Sequence, residues 1–421
     1  MDRAAIAASF PRRSDVRVHG ATLAACLAVV AAVNLSTPGL VDRAGQLKGT
    51  DFVHFYTLGS LALRGKSDVL YDYPALARET VALVPESRAV SYFPIYGPQV
   101  SLLFAPLAAL PYATALGLWI LLTIVVYALC CTAVWRRCAA LRFERATVVL
   151  LAAAYPAFLN LLAYGQNSAI GLACFTAAFL ALSRNRPLLA GLAIGTLIYK
   201  PQLGLVAAFV FLLSREWRVV AGAVLAALLQ LGAAWAFFGS DVMAAYWDSV
   251  RRVGEISHLL GAKLFQMHSI NAFLGLLLPW PRVVFALYLV SAAAVIAAAC
   301  YVWRMSAPLS LRYSFLLLAT VLASPHLNVY DLVVLAPALL MICDWTLAHH
   351  ANPSSKQLQF MLYLVYALPL AGAAAQFTHV QLSVLATTVL AGLLLRVVTR
   401  RPARQDLATS NFSNASLANG Q

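Results

Sequence analysis

Residues 48–56 read Lys-Gly-Thr-Asp-Phe-Val-His-Phe-Tyr, and they begin a few positions after the first long apolar run ends. A carboxylate held at a bilayer face, as Asp51 would be there, can take a proton from a hydroxyl of a lipid-borne substrate. His54 and Tyr56 lie beside it and could bind that substrate. Further along stand Gln166, Asn167, Lys200, His268, His326, Tyr330 and Asp331, each in or next to a break between apolar runs. Side chains of this kind can hold a phosphate or a sugar through hydrogen bonds and positive charge. The plainer reading is that they end helices or satisfy backbone groups, and Asn167, Ser168 and Asn328 suit helix caps. Lys200 sets a sharper problem, because no acidic residue stands near it in sequence. An unpaired ammonium among apolar segments is costly, so an anion from elsewhere must neutralise it, and a donor phosphate is the candidate. The chain carries no Gly-rich phosphate loop, zinc-ligand spacing or Ser/His/Asp motif.

The elements that must position these residues are membrane helices. Of 421 residues, 62% are hydrophobic and 11% charged, and mean hydropathy is +0.79. A soluble domain cannot hide that much apolar surface, so the chain reads as an all-α polytopic membrane protein. The net charge of +14 occurs as short clusters between apolar runs, the pattern that sets orientation and not one that binds nucleic acid. The seven cysteines fall within or at the ends of apolar runs and read as packing residues without disulfides.

Arg3, Arg12, Arg13 and Arg17 place residues 1–19 in the cytoplasm, and residues 20–40 read as a retained first span. Residues 41–98 then form a first outer loop, in which 52–64 and 75–83 suit amphipathic helices lying on the membrane. Residues 99–110, bounded by Pro98 and Pro111, are too few to cross, and a full span follows at 112–135. Segments 146–162 and 168–182 go out and back around Gly165-Gln166-Asn167. Segment 188–213 has basic residues at both ends and Pro201 in its middle. It reads as two half-length helices with Lys200 at the apex. After a span at 219–238, residues 239–270 form a second outer loop, and a short piece at 271–278 precedes another full span. Pairs of spans flank His326 and His379, and residues 399–421 read as a disordered cytoplasmic tail. The transmembrane domain is thus residues 20–398, with about 10–12 helices, and both termini are cytoplasmic.

Several short motifs, in order, resemble a known family. They are Asp51-Phe52 with Phe55-Tyr56, residues 71–73, Phe93-Pro94, Ala105-Pro106-Leu107, Leu110-Pro111 and Trp119. Gly165-Gln166-Asn167, Lys200-Pro201, Ser324-Pro325-His326 and Tyr330-Asp331 complete the set. Together they look like the family 87 glycosyltransferases, which include polyprenyl-phosphate-mannose-dependent α-1,2-mannosyltransferases. The resemblance implies a GT-C fold, a polyprenyl-monophosphate sugar donor (mannose first), and a glycolipid or glycan acceptor bound at the outer face of the cell membrane. It also implies that the acidic residue of the first outer loop, here Asp51, is the base of an inverting transfer. Donor-binding roles are expected for His54, Tyr56, Gln166, Asn167, Lys200, His268, His326 and Tyr330. Enzymes of this fold often carry two acids in that loop, but Thr50 precedes Asp51, so neither a metal nor any other cofactor is expected. The competing reading is a transporter or flippase of lipid-linked sugars, which needs polar residues along a mid-membrane path.

The orientation is open to direct test. In a chain stripped of native cysteines, His326→Cys should react with an impermeant maleimide in intact cells, while Arg137→Cys and Arg215→Cys should not. Labelling at position 137 would overturn the topology.

Overall fold

Prolines set many of the helix starts. Pro156, Pro187, Pro201, Pro281 and Pro353 each open a helix, where a missing N–H costs nothing and the ring fixes a helical φ. The computed structural model describes residues 13–90, 92–256 and 263–400. Arg3, Arg12 and the tail from residue 401 lie outside the described residues.

In chain order the helices are α1 (Arg13–Leu35), α2 (Phe52–Leu63), α3 (Tyr73–Leu83), α4 (Gln99–Ala108), α5 (Tyr112–Trp135) and α6 (Arg145–Ala153). Next come α7 (Pro156–Tyr164), α8 (Ser168–Leu182), α9 (Pro187–Gly195), α10 (Pro201–Leu213), α11 (Trp217–Ile256) and α12 (Ile270–Leu277). The chain closes with α13 (Pro281–Arg304), α14 (Leu309–Ala323), α15 (Ala336–Ala348), α16 (Pro353–Ala367), α17 (Ala375–Thr378) and α18 (Leu382–Thr399). Among the described residues there is no strand, and seven helices are long and apolar enough to cross a membrane. The chain is an all-α polytopic membrane protein.

Three segments differ from the sequence reading. The span expected at 146–162 is two helices, α6 and α7, bent by 43° ahead of Pro156. The segment expected as a second outer loop begins inside α11, which continues past a break at Gly239 (φ 81°, ψ 179°) as far as Ile256. Helix α2 was expected to lie on the membrane, but every residue from Phe52 to Ala62 is buried in protein. The reason is aromatic packing. Phe55 stacks on Phe104 of α4 at 4.8 Å, and Phe52 lies against Tyr112 and Trp119 of α5. Segment 188–213 does break, with a 3₁₀ turn at Thr196–Tyr199 between α9 and α10.

The charged ends of the helices gather at one end of the bundle. Arg17 pairs with Glu144 at 2.9 Å, and the Asp344 carboxylate accepts the backbone N–H groups of Ala140 and Leu141. The Trp303 indole donates to Glu216, and Arg304 donates to the Leu213 carbonyl. The loops after α7, α9 and α14 meet at the other end, described below.

Helices α9 and α11 run side by side almost backbone to backbone. A Cβ at Gly191 would lie 2.0 Å from the Val219 carbonyl oxygen, and one at Gly195 would lie 2.1 Å from that of Ala223. Such contact is how small residues let helices approach in a bilayer. It fixes the height of α9, and hence of the turn that ends in Lys200. Gly195→Leu should therefore separate α9 from α11 and lower the thermal unfolding midpoint of the purified protein by several degrees. An unchanged midpoint would show that this contact does not carry the packing.

Candidate functional site

Asp51 immediately precedes α2, and its backbone N–H donates to the Tyr164 carbonyl at 2.9 Å. That bond joins the loop before α2 to the end of α7. The chain then turns through Gly165 in the left-handed conformation (φ 64°, ψ 33°), which a residue with a Cβ adopts at a cost. A Cβ would also strike that of Phe52 at 2.7 Å, so the close approach of α7 to α2 requires glycine. The Trp119 indole donates to the Gly165 carbonyl at 3.0 Å and pins the turn. The turn brings the Gln166 carboxamide back onto Asp51, with Nε2 donating to Oδ2 at 2.9 Å. The other carboxylate oxygen, Oδ1, accepts the Tyr92 hydroxyl at 2.6 Å. Asp51 is 8% exposed. Burial raises its carboxyl above the usual value, while bonds from Tyr92, Gln166 and Tyr330 and the charge of Lys200 act the other way.

A second carboxylate lies close by with very different company. Asp331 Oδ1 accepts the Lys200 ammonium at 2.6 Å and the Ser168 hydroxyl at 2.5 Å. Its Oδ2 accepts the Asn328 backbone N–H at 3.1 Å in a capping box at the start of a 3₁₀ turn, Val329–Leu335. Lys200 also donates to Ser168 at 3.0 Å and sits 5.2 Å from the Tyr330 ring centroid. Lys200 and Asp331 are 3% and 1% exposed. An anion beside Lys200 is therefore supplied by the chain itself, Asp331, which is distant in sequence, where the sequence alone offered a donor phosphate as the candidate. The break at Pro201 places Lys200 within reach of Asp331.

Of the expected site residues, Asp51, Gln166, Lys200, His326 and Tyr330 meet at this end of the bundle. His326 is exposed, with Nε2 3.4 Å from the Asn328 amide nitrogen, which in turn donates to the Tyr330 hydroxyl at 2.7 Å. His54 is buried, with its ring 5.3 Å from Tyr92 and 5.8 Å from Tyr96. Burial holds it down to about 4, so it is neutral at ordinary pH. Tyr56 and His268 face elsewhere, while Asn167 packs behind Gln166. Tyr56 donates to the Leu110 carbonyl at 2.9 Å and packs edge-on against Tyr112. His268 Nδ1 meets the Ser383 hydroxyl at 2.6 Å, which ties the segment before α12 to α18. The Asn167 side chain is fully buried, and its backbone carbonyl accepts the Tyr199 hydroxyl at 3.2 Å. The structure adds Tyr92, Ser168 and Asn328 to the cluster and gives Asp331 its role. Their sequence signal was faint: a tyrosine within residues 41–98, two residues suited to helix caps, and an aspartate whose partner is far along the chain.

Two carboxylates thus divide the labour. Asp331 accepts the Lys200 ammonium and the Ser168 hydroxyl on Oδ1 and the Asn328 backbone N–H on Oδ2, whereas Asp51 is held by neutral donors alone, Tyr92 on Oδ1 and Gln166 on Oδ2 among them, with lone-pair capacity left for a proton. Asp51 can accept a proton; Asp331 fixes Lys200. Lys200→Met should leave a buried charge unpaired and destabilise the fold by about 3–5 kcal/mol. Adding Asp331→Asn to that variant should recover most of the loss in thermal unfolding. Equal stability of Lys200→Met and wild type would show that the pair is not structural.

A model of glycosyltransferase family 87 matches residues 94–325, more than half of the chain. The matched region carries Gln166, Ser168 and Lys200, while Asp51 and Asp331 lie on either side of it. Neither the curated proteins nor the solved structures contain a match. An all-helical membrane fold, a cluster of carboxylates and hydrogen-bond donors where its broken helices meet, and this match over the greater part of the chain agree: the protein belongs to glycosyltransferase family 87.

Proposed function

We propose that the protein moves a sugar, mannose first among candidates, from a polyprenyl monophosphate to a glycolipid or glycan acceptor at the outer face of the cell membrane. Asp51 is the general base. The observation that carries this reading is the state of its carboxylate: buried, bonded only to neutral donors, and close to a lysine already balanced by another acid.

The acceptor hydroxyl bonds to a free lone pair of Asp51. As its oxygen attacks the anomeric carbon, the O–H bond breaks and the proton passes to Asp51. The bond from that carbon to the phosphate oxygen breaks on the opposite face, and the polyprenyl phosphate leaves with the electron pair. A single displacement inverts the anomeric centre. His326 at the exposed rim, Tyr330, and the remaining N–H of Lys200 stabilise the charge that develops on the phosphate. A lipid-borne donor fits a site formed among helices that continue into the bilayer.

Because the base acts only when ionised, turnover should rise with pH through the Asp51 pKa. Burial sets that rise above the ordinary carboxylate range. The decisive assay uses protein in lipid nanodiscs with polyprenyl-phosphate mannose and octyl α-mannoside. Transfer should occur with that donor and not with a nucleotide sugar, and Asp51→Asn should lower it by about a hundredfold or more. Near-normal transfer by the Asn variant would remove Asp51 from the mechanism, and transfer from the nucleotide sugar would remove the lipid donor.

A further inference from the structure

The two oxygens of Asp51 are held in different ways. Oδ2 accepts Gln166 Nε2 at 2.9 Å, and the Gln166 amide oxygen is itself held by the Asn167 backbone N–H at 2.8 Å. Turning the carboxamide over would lose that second bond and set its oxygen against a carboxylate. Gln166, 4% exposed, is therefore locked as a donor toward Oδ2. A proton placed on Oδ2 would meet the Gln166 N–H head to head.

Oδ1 faces a group that can reverse its role. The Tyr92 hydroxyl lies 2.6 Å from Oδ1 and 3.1 Å from the Thr50 carbonyl oxygen. A phenol has one hydrogen and can also accept. While Asp51 is ionised, the shorter, charge-assisted bond keeps that hydrogen on Oδ1. Once Asp51 is protonated, Tyr92 can turn its hydrogen to Thr50 and accept from Asp51 instead.

We propose that Gln166 and Tyr92 are positioning residues that direct the acceptor's proton to Oδ1 of Asp51, with Gln166 as a fixed donor and Tyr92 as a reversible one. This rests on the reading of Asp51 as the base. The acceptor O–H breaks, its electron pair forms the bond to the anomeric carbon, and the phosphate leaves with the pair from the broken glycosidic bond. The proton stays on Oδ1, and the Tyr92 hydroxyl, keeping its hydrogen, turns to donate it in a hydrogen bond to the Thr50 carbonyl. Gln166 then changes from binding substrate, its role by sequence, to orienting the base. The other titratable groups that face Asp51 are Tyr96, Tyr112, Tyr164, Tyr330 and Lys200, with His54 on its own helix. Of these, Tyr330 adds a further hydrogen bond to the carboxylate and Lys200 adds a positive charge.

Infrared difference titration of the whole protein in lipid nanodiscs, without substrate, reads the carboxyl directly. The carbonyl band of protonated Asp51 is the one that Asp51→Asn removes. With the proton on Oδ1, the remaining C=O is Oδ2, which Gln166 bonds. Gln166→Met should therefore move that band to higher wavenumber. Tyr92→Phe, which keeps the ring against His54, should leave the band in place and raise the titration midpoint by about one pH unit. The rise of transfer with pH should move with that midpoint, which a merely structural role would not produce. Either variant alone decides. A band that moves in Tyr92→Phe, or stays in Gln166→Met, or a midpoint unshifted in Tyr92→Phe, would overturn the assignment. Full transfer activity in Asp51→Asn would instead overturn the base itself, so the two failures are told apart.

Discussion

An ammonium and a carboxylate shut away from water inside a helical bundle must find each other, and the rest of the site is arranged around the place where they do. Lys200 stands at a helix break that α9 and α10 cannot close by themselves, and Asp331 stands at the start of a 3₁₀ turn ahead of α15. Their bond at 2.6 Å, with Ser168 bridging to α8, ties three chain reversals into one block. Such a pair adds little net stability beyond what apolar residues of the same volume would give, but losing one partner is costly. Its effect is to specify which reversals meet, and at what height.

Once Asp331 is committed to Lys200, Asp51 is left as the carboxylate with neutral partners only. The two acids differ in environment and not in chemistry. One is balanced by a cation, and the other is buried and held by a phenol and a carboxamide. Separating two similar groups by their surroundings is a general way for a fold to assign acid–base roles.

The same site shows why the broken helices are needed. A continuous helix satisfies its own backbone groups and offers nothing to a ligand. Where α7 ends at Gly165, α9 ends at the 3₁₀ turn and α14 ends at Ala323, backbone and side-chain groups are freed at one level of the bundle. Each break is stabilised locally: the Trp119 indole holds Gly165, the Tyr199 hydroxyl holds Asn167, and the Asn328–Asp331 capping box starts the next turn. In membrane proteins irregular backbone at such positions is tolerated where it is buried in protein or lines a cavity.

Much of this was legible in the residue order. Apolar runs of spanning length, basic clusters at alternate ends, and prolines between them determined a polytopic helical protein and the break before Pro201, because those features act locally along the chain. Asp51 and Gln166 could be singled out by type and by their position between runs. Distance along the chain hid the rest. That Lys200 pairs with Asp331, that Gln166 bonds to Asp51, and that His268 and Tyr56 turn to Ser383 and Leu110 are all contacts between remote segments. So is the burial of α2, whose mixed pattern suggested a membrane surface until aromatic residues of α4 and α5 were seen to cover it. Sequence periodicity reports how one helix meets its solvent; which polar group a buried charge finds depends on how all the helices pack, and only the tertiary structure decided that.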